Sequence, residues 1–327
     1  MSRWLVPALV ILLAIASTAS LLAGTVWLRP HEVLAALGGV PTLTSLIVTE
    51  IRAPRIVLAI LTGGILGLSG AVLQGLLRNP LAEPGLLGVS SGASLGAVIA
   101  IYYGFSAVSL IATPVFALVG ALMTASVALA LARGGGTLAL ILAGAAVSSI
   151  AAAGVSLALN LSPSPYAAYE IMTWLMGSLA DRSWDHVRLA APLIVAGAAL
   201  LFATGRSLDA LALGEAQAES LGVAVGGTRL LALLGTALGV GAATAVAGAI
   251  GFVGLIAPHI VRPLAGHSPA RTLLPATLAG ALIVVVADTI TRLVRLTGPE
   301  LRLGVLIGAV GAPFFLWLVL HVRRTAP

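Results

Sequence analysis

The 327-residue chain contains no lysine; all seventeen of its basic residues are arginine. A Walker A loop needs a lysine on the β- and γ-phosphates of its nucleotide, so this polypeptide is not a standard P-loop ATPase. Any work driven by ATP would require another chain to bind the nucleotide. Cysteine is absent as well, which excludes disulfides, thiolate metal sites and cysteine nucleophiles. Charge of either sign is scarce, at 9% of residues, where a soluble domain carries about 25%. That leaves too little polar surface to cover the molecule in water. The arginines are spread one or two at a time between apolar runs, so the net charge of +6 forms no nucleic-acid patch. Loops facing anionic lipid account for it instead.

What is present is hydrophobic: 59% of the residues, with a mean hydropathy of +1.12. Several runs approach the roughly 20 residues that cross a bilayer, and they are continuous rather than alternating, which excludes a transmembrane β-barrel. The expected fold is an all-α polytopic membrane protein of about ten transmembrane helices, forming a single transmembrane domain over residues 1–327. The first run, 4–28, is longer than a signal-peptide core of about 7–15 residues and is expected to be retained. Further spans are expected near 54–76, 86–103, 108–132, 137–160, 187–205, 229–249, 272–293 and 303–321, with the apolar piece 250–262 the least regular.

Three segments fall outside this pattern. Residues 29–53 are polar, with a short amphipathic piece. Tyr166 to Leu179 is too short to span and reads as an interfacial or re-entrant helix, with Trp174 and Trp184 at headgroup level. Residues 206–229 are the most polar; their placed leucines predict a short amphipathic helix or helix pair outside the bilayer. An even span count puts both termini on one side, and the positive-inside rule places Arg3, Arg323 and Arg324 in the cytoplasm. Residues 206–229 then face the cytoplasm, and Arg52, Arg55 and Arg292 face outward. Thirty-eight glycines, among them Gly63, Gly67, Gly70, Gly235 and Gly239, allow close helix approach in lipid. The second span runs into RNPLAEP and the seventh into APHIVRP, a faint echo of an inverted repeat.

Candidate chemistry is sparse. Ser69 and Ser90 lie in serine-protease-like tetrads, and a nucleophile would need a base such as His259 or His267. The GxSxG elbow, however, works on a strand-to-helix turn, whereas these serines lie in or beside apolar helices. His259 has no second histidine at metal spacing, so no protein-bound metal is expected. Asp288 and Arg292 are four apart, at pairing distance on a helix, and ionisable groups within a membrane carry a functional hypothesis; Arg295 and Glu300 extend that polar rim. Span centres of Ala, Leu, Gly, Val and Ser offer little grip on protons or sodium. This weakens the alternative of an ion-coupled secondary carrier, and a rhomboid-like protease is weaker still.

A set of motifs in fixed order goes further: RAPR at 52–55, SGAVLQ at 69–74, RNPLAEPGLLG at 78–88 and WLMGSLADRSW at 174–184. LGEAQAESLG at 213–222, GAIGFVGLIAPHIVR at 248–262, LLPATLAGA at 273–281, ADTITR at 287–292 and GAPFFLWLV at 311–319 continue it. The chain closely resembles the permease subunits of type II ABC importers for iron chelates (siderophores, haem) and cobalamin. One departure is Arg302, where the family usually has proline. The resemblance implies a homodimer around a central pathway in a bacterial cytoplasmic membrane. Two ATPase subunits would hold ATP and Mg below, with no cofactor on this chain, and a periplasmic or lipid-anchored binding protein would dock above. It assigns docking to Arg52, Arg55 and Arg292. Coupling to the ATPase falls to Leu213, Gly214, Glu215, Ala218, Glu219, Leu221 and Gly222, with Glu215 and Glu219 facing it. The inner gate falls to Asn79 and Leu81, and more loosely to Thr137.

Overall fold

Within lipid a spanning segment must satisfy its own backbone N–H and C=O groups, which makes long apolar runs helical. The computed structural model describes residues 4–24, 26–39, 42–109, 111–132, 135–294 and 300–325. Arg3 and Arg295 lie outside these residues, as do the side chains of Arg323 and Arg324. Every regular element of the described chain is a helix, with no strand among the described residues. Its ten apolar helices are α1 (Leu5–Leu22), α2 (Ala53–Leu76), α3 (Val89–Tyr102), α4 (Ala112–Leu131) and α5 (Gly136–Asn160), then α6 (Trp184–Ala203), α7 (Val225–Ala247), α8 (Val253–Ala265), α9 (Pro269–Leu293) and α10 (Leu303–Thr325). Among the described residues seven helices are long and apolar enough to cross a membrane, while α3, α8 and α10 supply shorter apolar stretches. The chain is a multi-pass membrane protein.

Burial sorts these helices. The most apolar window of α2 is 83% buried and that of α7 78%, against 17% for α1 and 28% for α4, α5 and α6. So α2 and α7 form the interior, and the others wrap it. Glycine makes the interior possible. A Cβ added at Gly63 would lie 2.3 Å from the Gly280 carbonyl oxygen, and one at Gly67 2.2 Å from that of Ala276. The seam between α2 and α9 therefore runs backbone against backbone. At Gly70 a Cβ would come within 1.8 Å of the Gly254 carbonyl oxygen on α8. Where no hydrophobic force separates helix from lipid, such dispersion contact drives association.

Helix ends depart from the apolar runs for identifiable reasons. The 4–28 run leaves the helix after Leu22 because Arg52 donates to the carbonyls of Leu21 (2.6 Å) and Val26 (2.5 Å). The second span starts earlier than expected: helix begins at Leu43, passes through a π-helical turn at Ile47–Arg52 and continues into α2. A reciprocal cap starts it, with Ser45 N–H donating to Thr42 Oγ1 and Thr42 N–H to Ser45 Oγ, both at 3.1 Å. Before α3, a 3₁₀ turn at Pro84–Leu87 and the left-handed Gly88 (φ 78°) hold back the helix start.

The expected interfacial helix is Pro165–Leu175, capped by Ser164. Its Trp174 packs into the protein beside Ile171, and the Trp184 indole donates to the Thr49 carbonyl at 2.8 Å. Both indoles thus serve tertiary contacts. The polar segment 206–229 holds a helix pair, Gly205–Leu211 and Glu215–Ser220, turned at Gly214 (φ 118°). One end of the bundle gathers the start of α2, the end of α9 and Glu300, and is here the arginine end. The opposite end gathers residues 78–82 and 205–222 with the start of α9.

Candidate functional site

At the arginine end two guanidinium groups, those of Arg55 and Arg292, share Asp288, and Arg55 also reaches Glu300. Arg55, in the first turn of α2, donates through Nε to both oxygens of Asp288 at 3.0 and 2.9 Å. Its Nη2 is 2.9 Å from Asp288 Oδ1, and the same guanidinium reaches Glu300. Arg292 stands one turn beyond Asp288, with Nε 3.5 Å from Oδ2. It also donates to the Ser20 and Ala23 carbonyls, each at 3.2 Å, and to the Ser20 hydroxyl. Thr291 Oγ1 donates to the Asp288 carbonyl (2.8 Å) and lies 3.2 Å from Glu300 Oε1. Charges taken from water require this density of partners. The cluster ties α1, α2 and α9 to the approach of α10.

The spacing of Asp288 and Arg292 foretold one pair, but the tighter partner of Asp288 is Arg55. Arg52, Arg55 and Arg292 do not project as free guanidiniums: Arg52 is 5% exposed and Arg55 8%, and all three are engaged within the chain. Glu300 is the open member of the cluster, with its side chain 33% exposed.

At the opposite end Arg78 adopts a left-handed backbone (φ 47°), and Asn79 Oδ1 accepts from Leu81 N–H at 2.9 Å. This Asx turn reverses the chain and leaves Asn79 and Leu81 half-buried. Gln74 anchors it, accepting from Arg262 Nη2 at 2.7 Å and donating to the Gly254 carbonyl at 3.4 Å. The Thr137 side chain lies outside the described residues.

The helix pair beside this turn has two faces. Leu208, Leu211 and Ala218 are buried, while Leu213 and Leu221 are each 65% exposed. Asp209 Oδ1 fixes the pair to the start of α9, accepting from Ser268 Oγ at 2.9 Å and from Ala270 N–H at 3.0 Å. The two expected coupling glutamates diverge: Glu215 pairs with Arg229 at 2.6 Å, whereas Glu219 is exposed. Gly214 and Gly222 (φ 118° and 82°) bracket the helix Glu215–Ser220 with backbone that favours glycine.

The serine candidates have structural surroundings. Ser69 Oγ is buried 2.9 Å from Thr236 Oγ1, bridging α2 and α7. The His259 ring meets Phe314 edge-on at 5.6 Å, between α8 and α10. One feature escaped the sequence altogether: a polar cavity of about 280 Å³ at the arginine end. Arg182, His186, the end of α7 and Arg302 line it. Its residues come from separated segments, so the motif at 174–184, which supplies Arg182, did not reveal it, although Arg302 had stood out as a departure.

Comparison with known proteins covers the same length. Residues 12–321 match the FecCD transport family. The vitamin B12 import system permease protein BtuC of Citrobacter koseri is 40% identical over 98% of this chain and 95% of its own. BtuC of Salmonella newport is 40% identical over 98% and 96%. A solved inward-facing conformation of a protein assigned as a metal-chelate type ABC transporter superposes with a TM-score of 0.85. It is 31% identical, covering 97% of this chain and 98% of that one. With motifs, helix order and fold in agreement along the whole length, the chain belongs to the FecCD transport family.

Proposed function

We propose that this chain is the membrane permease of an ATP-driven importer for a metal chelate. The full-length likeness to vitamin B12 permeases carries this reading and makes a corrinoid the first substrate to test, with ferric siderophores and haem next. Two copies would enclose the pathway, and a separate ATPase would bind ATP and Mg, since no lysine is present for a Walker A loop. The test is reconstitution. ATP-dependent uptake of cobalamin or a ferric siderophore should require this chain, its ATPase and a binding protein together. Uptake by the isolated chain under an ion gradient would overturn the reading.

The two ends suit two partners. The exposed Leu213 and Leu221, on a base fixed by Asp209, offer the ATPase an apolar foothold, with Glu219 beside it. In this reading the arginine end faces outward and receives the binding protein, and the turn at Asn79 and Leu81 forms the inner gate with Thr137. Docking at Arg52, Arg55 and Arg292 proceeds by exchange: a partner carboxylate takes the place of the partly exposed Glu300 on Arg55. Arginine suits this because its planar fork forms bidentate pairs with carboxylates and stays charged.

A further inference from the structure

The polar cavity at the arginine end brings Arg182, His186 and Arg302 together. His186 sits in the first turn of α6, and its Nδ1 accepts from Ser183 N–H at 3.2 Å. The Ser183 hydroxyl also lies 3.1 Å from Nδ1; with Nδ1 accepting, the neutral ring carries its proton on Nε2, the atom 3.4 Å from Arg182 Nη1. A guanidinium has no lone pair to offer, so in that tautomer two donors face each other. Arg182 Nε is buried without a hydrogen-bond partner. Arg302 lines the same space and repels Arg182, against a larger attraction from the exposed Asp181. Among the described residues no carboxylate forms an ion pair with either arginine, although Glu170 and Asp181 lie at the cavity rim, both exposed. Like-charged guanidiniums brought together, one of them with a buried N–H that lacks a partner, are costly unless an anion enters.

We propose that this cavity is an oxyanion site, in which Arg182 and Arg302 clasp a carboxylate or phosphate group and His186 Nε2–H supplies a third donor. Its volume of about 280 Å³ accommodates such a group with part of the molecule that bears it. The ligand class is a small molecule with an oxyanion arm, met before the buried arginine cluster is reached.

The test is equilibrium binding of radiolabelled citrate and of inorganic phosphate to the purified full-length chain, without any ATPase. It therefore stands or falls separately from the importer reading. Saturable binding is expected, weakened at least about tenfold by Arg302→Gln, the loss of one charged hydrogen-bond partner. Arg182→Gln should weaken it similarly, and Asp181→Asn should not weaken it. If Arg182→Gln fails to fold, the half-buried Arg302 carries the test alone. Tighter citrate than phosphate supports a carboxylate-bearing ligand, and the reverse order a free inorganic oxyanion; either fits the site. No saturable binding, or binding indifferent to Arg302→Gln, would overturn the proposal.

Discussion

Asp288 holds the charge balance of the arginine end. It is 1% exposed and lies within ion-pair reach of both Arg55 and Arg292. Removing one member of a buried pair leaves the other charge unanswered, which costs about 3–5 kcal/mol. Asp288→Ala should lower stability by that amount, read as thermal unfolding of the detergent-purified chain. Glu300→Gln should cost about 1 kcal/mol or less, because its partly exposed carboxylate retains water. Glu83, in the loop between α2 and α3, makes a different prediction. Burial pushes its carboxyl up from the usual range, partly offset by a hydrogen bond from the Phe252 backbone. The folded state thus favours the protonated form, so its contribution is complete below the ordinary carboxylate range and is lost as pH rises through the raised value. The unfolding temperature should fall as the medium goes from acidic to neutral, and Glu83→Gln should flatten that slope. Neither group's role was legible in sequence. Arg55 and Asp288 are 233 positions apart, and no local periodicity reports a contact made by folding; only the four-residue spacing of Asp288 and Arg292 was visible.

Among the elements, the count of apolar helices could be read from continuous runs, because burial all round needs no periodic face. Their ends could not. The chain leaves α1 where Arg52 captures two carbonyls, and α3 starts late because Pro84–Leu87 forms its own turn. Glycine content announced close packing without saying which helices meet. The structure assigns Gly63 and Gly67 to α9 and Gly70 to α8. Gly70→Ala should therefore force α2 from α8 and cost about 1–3 kcal/mol, as overpacking does. Gly226→Ala, where an added Cβ meets nothing within 4 Å, is the control and should be neutral or slightly stabilising. Unfolding curves of the two variants, side by side, check the difference.

For the whole molecule, the prediction concerns the partner at the end carrying Leu213 and Leu221. Changing both to aspartate should leave the fold intact, since each is 65% exposed, yet abolish co-purification with the ATPase. Retained co-purification would move the contact elsewhere. Changing Glu215 would be a poorer probe, because it would also free Arg229. The amphipathic pattern of residues 206–229 pointed to one short helix or a pair, but not to which of these, nor to which leucines the chain's own core would take.

The seam between α2 and α9 bears on motion. Two helices in backbone contact along Gly63, Gly67 and Gly280, and clasped at one end by Arg55 and Asp288, would move as one stiff beam. Leu208 lies against Gly75 at the beam's far end, and Asp209 grips its other strut at Ala270. A tilt imposed on residues 205–222 would reach the arginine end without being absorbed by bending. Opening and closing would then be a rocking of the beam as a unit, with the slack taken up by the less buried helices around it.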